Sequence, residues 1–342
     1  MQVNLNEIKI VPDLDSIVRV KMSDEEYFGP KYSDYTSNSR LKLIDPENNG
    51  LPSKYKAGFK ENTQNFFALG SSVHGLYLQS EEFTLGPDLN KPTAKLGLVI
   101  DKIKYYRDCN YKIIDAISSA CSKVDYYKGN VTPSRIKKII KEGLNYYINK
   151  PSDSSTIILP TKDRDTCIKC LENLKRNRRI HSLINPTDIF GDPIESYNED
   201  AFFMDFIATH GDNEYRLKLK LKIDNWSIDV NDKKVTLNDL KTTSKNVSEF
   251  MGSSFLKLAY YQQFALYLYV LLKYCEKEYL YNKDEWSYDC NVLVVGTRGD
   301  CETEVYKVFD AHLKDGNRKF CKLLKMVAYC EMYGYNDDYM FM

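Results

Sequence analysis

The chain has 342 residues, of which 43% are hydrophobic and 13% aromatic, and this composition excludes a disordered or collagen-like protein. Lysine plus arginine and aspartate plus glutamate both total 48, so the net charge excludes a generally basic nucleic-acid binder and leaves that role to a local patch. At roughly 150 residues per domain, the length fits two domains or one large domain with an insertion.

Neither a membrane segment nor a secretory signal is predicted. The longest apolar run, Phe264 to Leu272, is far shorter than the ~18 residues that a membrane helix needs. The N-terminal residues have scattered charges and lack the continuous apolar stretch of a secretory signal. The nine cysteines are an odd number in a long chain, which favours reduced thiols over disulfides. We therefore expect a cytoplasmic protein without a membrane partner.

The first half of the chain is predicted to be mainly helical. Residues 1–65 mix short charged pieces with turn signals and predict an irregular N-terminal arm with short helices. The apolar stretch Phe66–Leu78 predicts a buried helix that contains His74. A helical period between about residues 101 and 185 predicts a mostly helical insertion.

Strands predominate after Pro186, where the helical period stops. The order of elements predicts an α/β fold in a single domain over 1–342, with one central mixed sheet flanked by helices. Residues 186–342 are expected to supply this sheet and its flanking helices. The predicted elements are strands over 202–209, 215–230 and 235–243, a helix over 250–273, strands over 291–296 and 304–309, and a helix over 314–332.

The most informative segment is a predicted hairpin. From Leu217 to Asp224, apolar residues alternate with lysines, which is typical of a strand with one buried face. Asn231 and Asp232 then suit a two-residue turn, because both residue types tolerate positive φ. This turn fixes the register of the two strands and places Asp224 opposite Asp239.

Two aspartates that face each other across a hairpin need a partner that offsets their mutual repulsion. Opposed side chains share a face with Cβ atoms ~4.5–5.5 Å apart, so two ionised carboxylates repel each other unless a cation lies between them. Carboxylate oxygens suit Mg²⁺ or Mn²⁺, and Lys241 on the same face can position a water or neutralise a phosphate. The same register buries Trp226 opposite Leu237. The alternative is that both acids lie on a solvated sheet face.

Four segments in a fixed order resemble one nuclease family. They are Gly70–Phe83 with its His74, Lys222-Ile-Asp224, Asp239-Leu-Lys241, and Tyr260-Tyr-Gln-Gln263-Phe-Ala-Leu-Tyr267. Together they are similar to the motifs of the PD-(D/E)XK nuclease superfamily, in its RecB-type branch and among the exonuclease VIII-like proteins of phages and prophages. With a fainter similarity over Tyr35–Pro46, the resemblance covers residues 35 to 335. It implies a restriction-endonuclease-like core.

The resemblance also implies the site residues. One or two Mg²⁺ ions, with Mn²⁺ as a substitute, would bind to His74, Asp224, Asp239 and the main-chain carbonyl of Leu240. Lys241 would position the attacking water. Two metal ions ~3.5–4 Å apart can activate a water and stabilise the leaving oxygen in such sites.

A further acid is expected near the start of the first core strand. Glu195 is selected for it, and Glu199 and Asp205 compete for the same place. This branch usually has a glycine before the first acid, where this sequence has Leu221. The sequence therefore does not determine the backbone path near Asp224. Three of the cysteines, at 275, 290 and 301, are too widely spaced for the cysteine cluster of the iron–sulfur members, so no iron–sulfur cluster is expected.

Two groups of residues are candidates for binding nucleic acid. Gln263, Tyr267 and Tyr260 share one face of a helix and can hydrogen-bond a nucleotide or the lysine, although tyrosines in a tyrosine-rich chain also serve as core. Lys222 closes a row of alternating lysines that can contact phosphates or can simply be solvated.

The resemblance implies a Mg²⁺-dependent DNA exonuclease of the recombination and repair type, in a bacterial or phage-encoded protein. It would resect duplex DNA ends for a single-strand annealing protein, and it could form a homo-oligomeric ring by analogy with the fold. A structure-specific flap or single-strand endonuclease is the first alternative. A nucleic-acid-binding protein without hydrolytic activity is the second.

Overall fold

The computed structural model describes residues 2–58, 66–90, 92, 94–127, 131–149 and 155–341. The chain divides into two compact units. The first contains Met1–Thr63, Leu174–Gly296 and Glu302–Met342, and the second contains Gln64–Asn173 and Thr297–Cys301. Parts of the predicted arm and insertion, residues 59–65, 128–130 and 150–154, lie outside the described residues, and the single-domain division stays a prediction. Among the helices of the described ranges, none combines the length and the apolar character that a membrane span requires.

The strands are numbered in chain order. They are β1 (Gln2–Val3), β2 (Lys9–Lys21), β3 (Thr84–Leu85), β4 (Thr156–Ile157), β5 (Glu195–His210), β6 (Asn213–Asp229), β7 (Lys234–Thr243), β8 (Ser287–Gly296), β9 (Thr303–Lys307) and β10 (Met340–Phe341).

The α-helices are numbered in the same way. They are α1 (Asp24–Tyr27), α2 (Asn38–Leu41), α3 (Pro52–Ala57), α4 (Phe66–Leu78), α5 (Ala94–Asp108), α6 (Ile113–Val124), α7 (Pro133–Asn149), α8 (Thr161–Arg176), α9 (Arg178–Ile184), α10 (Tyr260–Tyr279) and α11 (Asp310–Tyr333). Single 3₁₀ turns lie at Leu5–Glu7, Pro30–Tyr32, Pro46–Asn48 and Val247–Glu249, and a π turn lies at Met251–Phe255.

The predicted fold class is confirmed. The first unit contains a six-stranded sheet in the order β2-β5-β6-β7-β8-β9. The pair β7 and β8 is parallel and the other neighbours are antiparallel, so the sheet is mixed. Helices α10 and α11 pack against this sheet in the main hydrophobic core. The strands predicted after Pro186 are β5 to β9, and the closing helix is α11.

The prediction that the N-terminal arm is irregular is wrong in one respect. Its strand β2 is thirteen residues long and forms the edge of the main sheet beside β5. Pro12 interrupts the sequence of this strand, and the pairing shifts between Asp13 and Val18. Both features disturb the alternation by which a strand is recognised, and both are tolerated at a sheet edge, where one side has no hydrogen-bonding neighbour.

The long helix predicted over residues 250–273 is interrupted. The π turn comes first and ends at Phe255, and Ala259, in a left-handed conformation at φ 52°, directly precedes α10, which begins at Tyr260. Gly252, Ser253 and Ser254 favour a helix poorly, which is consistent with an irregular start. The interruption makes Tyr260 the first residue of α10, beside the candidate site described below.

The predicted register of the β6–β7 hairpin is confirmed, because Trp226 pairs with Leu237. The turn is longer than predicted, since β6 ends at Asp229 and β7 starts at Lys234. The Asp229 carboxylate accepts hydrogen bonds from the two following turn residues, Asn231 N–H at 3.0 Å and Asp232 N–H at 2.9 Å. Two and four are both even loop lengths around the same centre, so the longer turn leaves the pairing unchanged.

The lysine row of β6 holds the N-terminal arm. The Lys220 ammonium donates to the Tyr27 carbonyl at 2.8 Å and lies 4.6 Å from the centre of the Tyr27 ring. Lys218 pairs with Asp34 at 3.2 Å. These lysines therefore bind residues of this chain, which is evidence against the predicted row of phosphate contacts.

Replacing Lys220 with alanine is expected to lower the free energy of unfolding by about 2 kcal/mol, because a charged hydrogen bond and a cation–π contact are lost. Lys220 is only 7% exposed, so water cannot replace either contact. Lys218→Ala is the matched control, because its ammonium is exposed, so that its ion pair with Asp34 and its contact with the Tyr35 ring at 5.4 Å are expected to contribute less than about 1 kcal/mol. Urea unfolding of both variants measures the difference, and equal losses would contradict this account of the arm.

The second unit has a separate helical core. Helices α5, α6 and α7 contribute its buried apolar side chains, among them Val99, Ile117 and Ile139. The short strands β3 and β4 pair in parallel beside them. His74 lies in this unit, on α4.

Candidate metal centre

The candidate site lies where the β6–β7 ladder ends. The last paired residues are Asn225 and Asn238. Beyond them, the Asp224 carboxylate accepts the main-chain N–H of Leu240 through Oδ2 at 2.8 Å. The predicted register requires Asp224 to pair with Asp239. In the structure the ladder ends one pair earlier, and Asp224 instead contacts Leu240, the residue that follows Asp239. The ladder opens at this point, and the side chain of Asp224 replaces the main chain as the acceptor.

Strand β6 changes its buried face at Asp224. The register of the flanking pairs places Glu199 of β5 opposite Asp224, and Glu199 has a positive φ of 54°. The left-handed conformation of Glu199 shows that β5 is irregular at the same level as β6. The backbone of β6 therefore departs from a regular strand at Asp224, which is the point that Leu221 left undetermined in the sequence. The core residues of β6 are Leu217, Leu219, Leu221 and Ile223 before the change and Trp226 and Ile228 after it.

Asp239 is buried and has defined partners. It is 2% exposed, and its Oδ2 contacts the Lys241 ammonium. Its Oδ1 accepts a hydrogen bond from Gln263 Nε2 on α10 at 2.8 Å. The structure thus brings the two charged residues of the Asp-x-Lys segment together with the predicted glutamine. Burial lowers the pKa of Lys241, but Asp239 and Asp224 outweigh it and leave that pKa raised.

Glu199 is the further acid of the cluster. A carboxylate oxygen of Glu199 lies within 4.8 Å of one of Asp224. Burial and the neighbouring Asp224 raise the pKa of Glu199 to about 7. Burial also raises the pKa of Asp224, against the opposing effects of Lys241 and the Leu240 N–H. Two carboxyl groups crowded in this way stabilise each other's protonated form or a shared cation.

Glu195, selected from the sequence, does not join this cluster. It is exposed at the start of β5 and pairs with Ile228, four residues or about 13 Å along the strand from the level of Asp224. Its carboxylate accepts the Tyr197 hydroxyl at 2.6 Å. Asp205 is also elsewhere, in an ion pair with Arg216 at 3.1 Å.

The β5–β6 connection was the signal for Glu199. Gly211 and Asp212 form a two-residue turn that pairs His210 with Asn213. Counting back along both strands from this turn brings Glu199 to the level of Asp224.

Lys222 belongs to the cluster as well. Its ammonium lies 3.0 Å from Glu199 Oε2 and 2.6 Å from Asp24 Oδ1. Burial lowers its pKa, but Glu199 and Asp24 outweigh burial and raise it. The predicted contact of Lys222 with nucleic acid therefore competes with two carboxylates that already hold its charge.

Both predicted tyrosines of α10 face the cluster. The Lys241 ammonium lies 5.1 Å from the centre of the Tyr260 ring, a cation–π distance. The pKa of Tyr267 is raised well above its ordinary value by burial, and also by the negative charges of Asp239 and Asp224. Their contacts with nucleic acid stay predictions.

A chain of buried asparagines fixes the residues beside the acids. The Asn238 amide donates to Asn225 at 2.7 Å, and the Asn291 amide donates to Asn238 at 3.0 Å. Asn225 follows Asp224 and Asn238 precedes Asp239 in sequence, so these amide hydrogen bonds set the spacing of the strands at the site. Hydrogen-bonded buried amides of this kind are costly to disrupt.

The donor set fits a divalent cation of the Mg²⁺ type. Glu199 and Asp224, with carboxylate oxygens within 4.8 Å of each other, offer the ligands that Mg²⁺ and Mn²⁺ prefer, and Asp239 contacts Lys241 beside them. Burial first and the charge of Asp224 second raise the pKa of Glu199, and a cation would compensate the charge of both carboxylates. The ligand roles of His74 and of the Leu240 carbonyl stay predictions.

Comparisons with known proteins do not identify a family. No family description matches the sequence, and no curated protein matches it. A solved structure described as a "Putative exonuclease" from Eubacterium rectale is similar over 90% of this chain and 87% of its own, with 9% identity and a TM-score of 0.40. A Vibrio cholerae protein is similar over 79% of this chain and 59% of its own, with 10% identity and a TM-score of 0.13. Similarities this weak leave the function to be argued from the site.

Proposed function

We propose that this protein is a Mg²⁺-dependent nuclease of the PD-(D/E)XK type that hydrolyses DNA from duplex ends. One observation supports the proposal most strongly: side chains from three separate elements, Asp224 on β6, Asp239 and Lys241 on β7, and Gln263 on α10, converge at one point. These are the residues that the ordered sequence motifs select. A surface ion pair would need neither the buried carboxylate of Asp239 nor the glutamine that orients it.

The cation would be held by Asp224, Glu199 and Asp239, with His74 and the Leu240 carbonyl as further ligands from the sequence resemblance. A bound Mg²⁺ supplies Lewis acidity and stabilises negative charge on a phosphate. Glu199 replaces Glu195 in this set because it lies at the level of Asp224.

The side chains of the cluster divide the remaining work. Lys241 keeps its proton at neutral pH because its pKa is raised, so it acts as a cation that orients a water or a phosphate oxygen and not as a base. Gln263 fixes the rotamer of Asp239 through its hydrogen bond. Lys222 balances Glu199 until a cation is bound.

Digestion of labelled DNA tests the proposed activity. A linear duplex that is labelled at each 5′ end and internally is compared with covalently closed circular DNA, in Mg²⁺ and in EDTA. The proposal predicts Mg²⁺-dependent release of label from the linear duplex, with the circle intact. The order in which the labels are released gives the strand polarity.

The other outcomes separate the alternatives. Cutting of the closed circle or of a flap substrate would favour a structure-specific endonuclease on the same site. Binding of DNA without cleavage in Mg²⁺ or Mn²⁺ would favour a nucleic-acid-binding protein. Cleavage that continues in EDTA would contradict the metal-dependent mechanism.

A further inference from the structure

A further lysine, Lys42, lies beside the candidate site. This residue follows α2, and Asn38 in α2 accepts a buried hydrogen bond from Gln262 of α10 at 3.0 Å. The contact ties α2 to the start of α10. The Lys42 ammonium therefore lies 5.6 Å from the centre of the Tyr260 ring, the ring that also contacts Lys241 at 5.1 Å.

Lys42 differs from its cationic neighbours in its charge balance. Lys241 contacts the carboxylate of Asp239, and Lys319 contacts Asp45 at 2.9 Å. Lys42 instead donates to a neutral acceptor, the Leu258 carbonyl, at 2.8 Å. Within the ranges that the structure describes, no carboxylate pairs with it.

This arrangement is costly without an anion. Lys42 is half-buried, and burial together with the charges of Lys241 and Lys319 lowers its pKa, which the charge of Asp45 offsets only in part. The Tyr260 ring, which stacks on Phe250 at 5.9 Å, offsets only part of the loss of hydration. A phosphate group beside Lys42 would supply the missing negative charge.

We propose that Lys42 and Tyr260 form a phosphate-binding subsite for the DNA strand, one or more nucleotides away from the phosphodiester that is hydrolysed. This inference rests on the proposed nuclease function and extends it to a named contact with the substrate. Lys42 holds the strand through a backbone phosphate, and Tyr260 keeps the ammonium in place beside Lys241. Because the contact is with the backbone, it does not select a base sequence.

Salt dependence of DNA binding tests the subsite. The affinity of a short labelled duplex is measured in EDTA across KCl concentrations for the wild type, Lys42→Gln, Lys42→Arg and Lys257→Gln. Lys257 is the matched control, because it is an exposed lysine in the segment just before α10. Each phosphate contact contributes about 0.7–0.9 to the slope of log affinity against log salt.

The expected result is a slope reduced by about one contact in Lys42→Gln, with binding about tenfold weaker, and a slope restored in Lys42→Arg. Lys257→Gln should keep the wild-type slope. In turnover, Lys42→Gln should raise KM more than it lowers kcat. Thermal melting of each variant confirms that the fold is intact.

Single methylphosphonates locate the contact. Each one removes the charge of one phosphate, and at one position it should weaken binding by the wild type but not by Lys42→Gln. A wild-type slope in Lys42→Gln, or equal losses in both proteins at every position, would overturn the subsite while the nuclease activity stands. A wild type that neither binds nor cleaves DNA would overturn the proposed function and the subsite together.

Discussion

Asp239→Asn is expected to lower the rate of DNA hydrolysis by at least about a thousandfold, because it removes a charge that both the cation and Lys241 require. The buried Asp239 carboxylate contacts Lys241 through one oxygen and accepts the Gln263 amide through the other. An asparagine has the same shape but cannot ligate a cation with comparable strength. Binding of DNA should persist, since contacts with the phosphate backbone lie outside this carboxylate.

The matched control for Asp239 is Asp289→Asn on the neighbouring strand β8. Asp289 also pairs with lysines, Lys234 at 2.6 Å and Lys307 at 2.5 Å, but it lies outside the cluster. Its activity should stay within about twofold of the wild type, as for a surface substitution. End-label release under single-turnover conditions measures both variants. Normal hydrolysis by a folded Asp239→Asn protein would exclude the proposed site.

Glu199→Gln is expected to stabilise the cation-free protein at pH 8 by about 3 kcal/mol, since the ordinary and folded pKa values of Glu199 differ strongly. The folded pKa is about 7 and the ordinary value is 4.5. Below the ordinary pKa, both the folded and unfolded states hold the proton. As the pH rises from there to about 7, the unfolded state releases its proton first, so the stability of the wild type falls.

Glutamine has no proton that titrates in this range. The gain in free energy of unfolding of Glu199→Gln over the wild type should therefore be small at pH 5 and reach its full value above pH 7. Urea unfolding in EDTA at the two pH values measures the difference. Glu195→Gln is the control on the same strand, because its carboxylate is exposed, and its stability should stay within about 0.5 kcal/mol of the wild type at both. A pH-independent gain in Glu199→Gln would show that the carboxyl is not held protonated by its surroundings.

The centre of the sheet could be predicted from local sequence alone. Strict alternation from Leu217 to Ile223 marks β6, and an even turn fixes its register with β7, so Trp226 and Leu237 pair as expected. The motif order then selects Asp239, Lys241 and Gln263, which the structure brings into contact. These features depend on neighbours along one hairpin or on one helix face.

The rest depends on contacts that are distant in sequence. Strand β2 joins the sheet through β5, almost two hundred residues away, although Pro12 obscures its pattern. The Gly211–Asp212 turn places Glu199 at the level of Asp224 from local sequence, but its side chain reaches the site because its left-handed backbone and the opened ladder at Asp224 change the face of both strands together. No local propensity indicates such a change. The sequence alone predicts for Lys222 either a phosphate contact or a solvated position, because its partners, Glu199 and Asp24, come from two other elements.

Binding of Mn²⁺ to the DNA-free protein decides whether the acidic cluster is a metal site. Calorimetric titration at pH 8, where Glu199 is ionised, compares the wild type with Asp224→Asn, Glu199→Gln and the control Glu195→Gln. We expect at least one bound Mn²⁺ per chain in the wild type and in Glu195→Gln, and binding weakened about tenfold or more in the other two variants. Equal Mn²⁺ binding by all four proteins, or none by the wild type, would contradict this expectation.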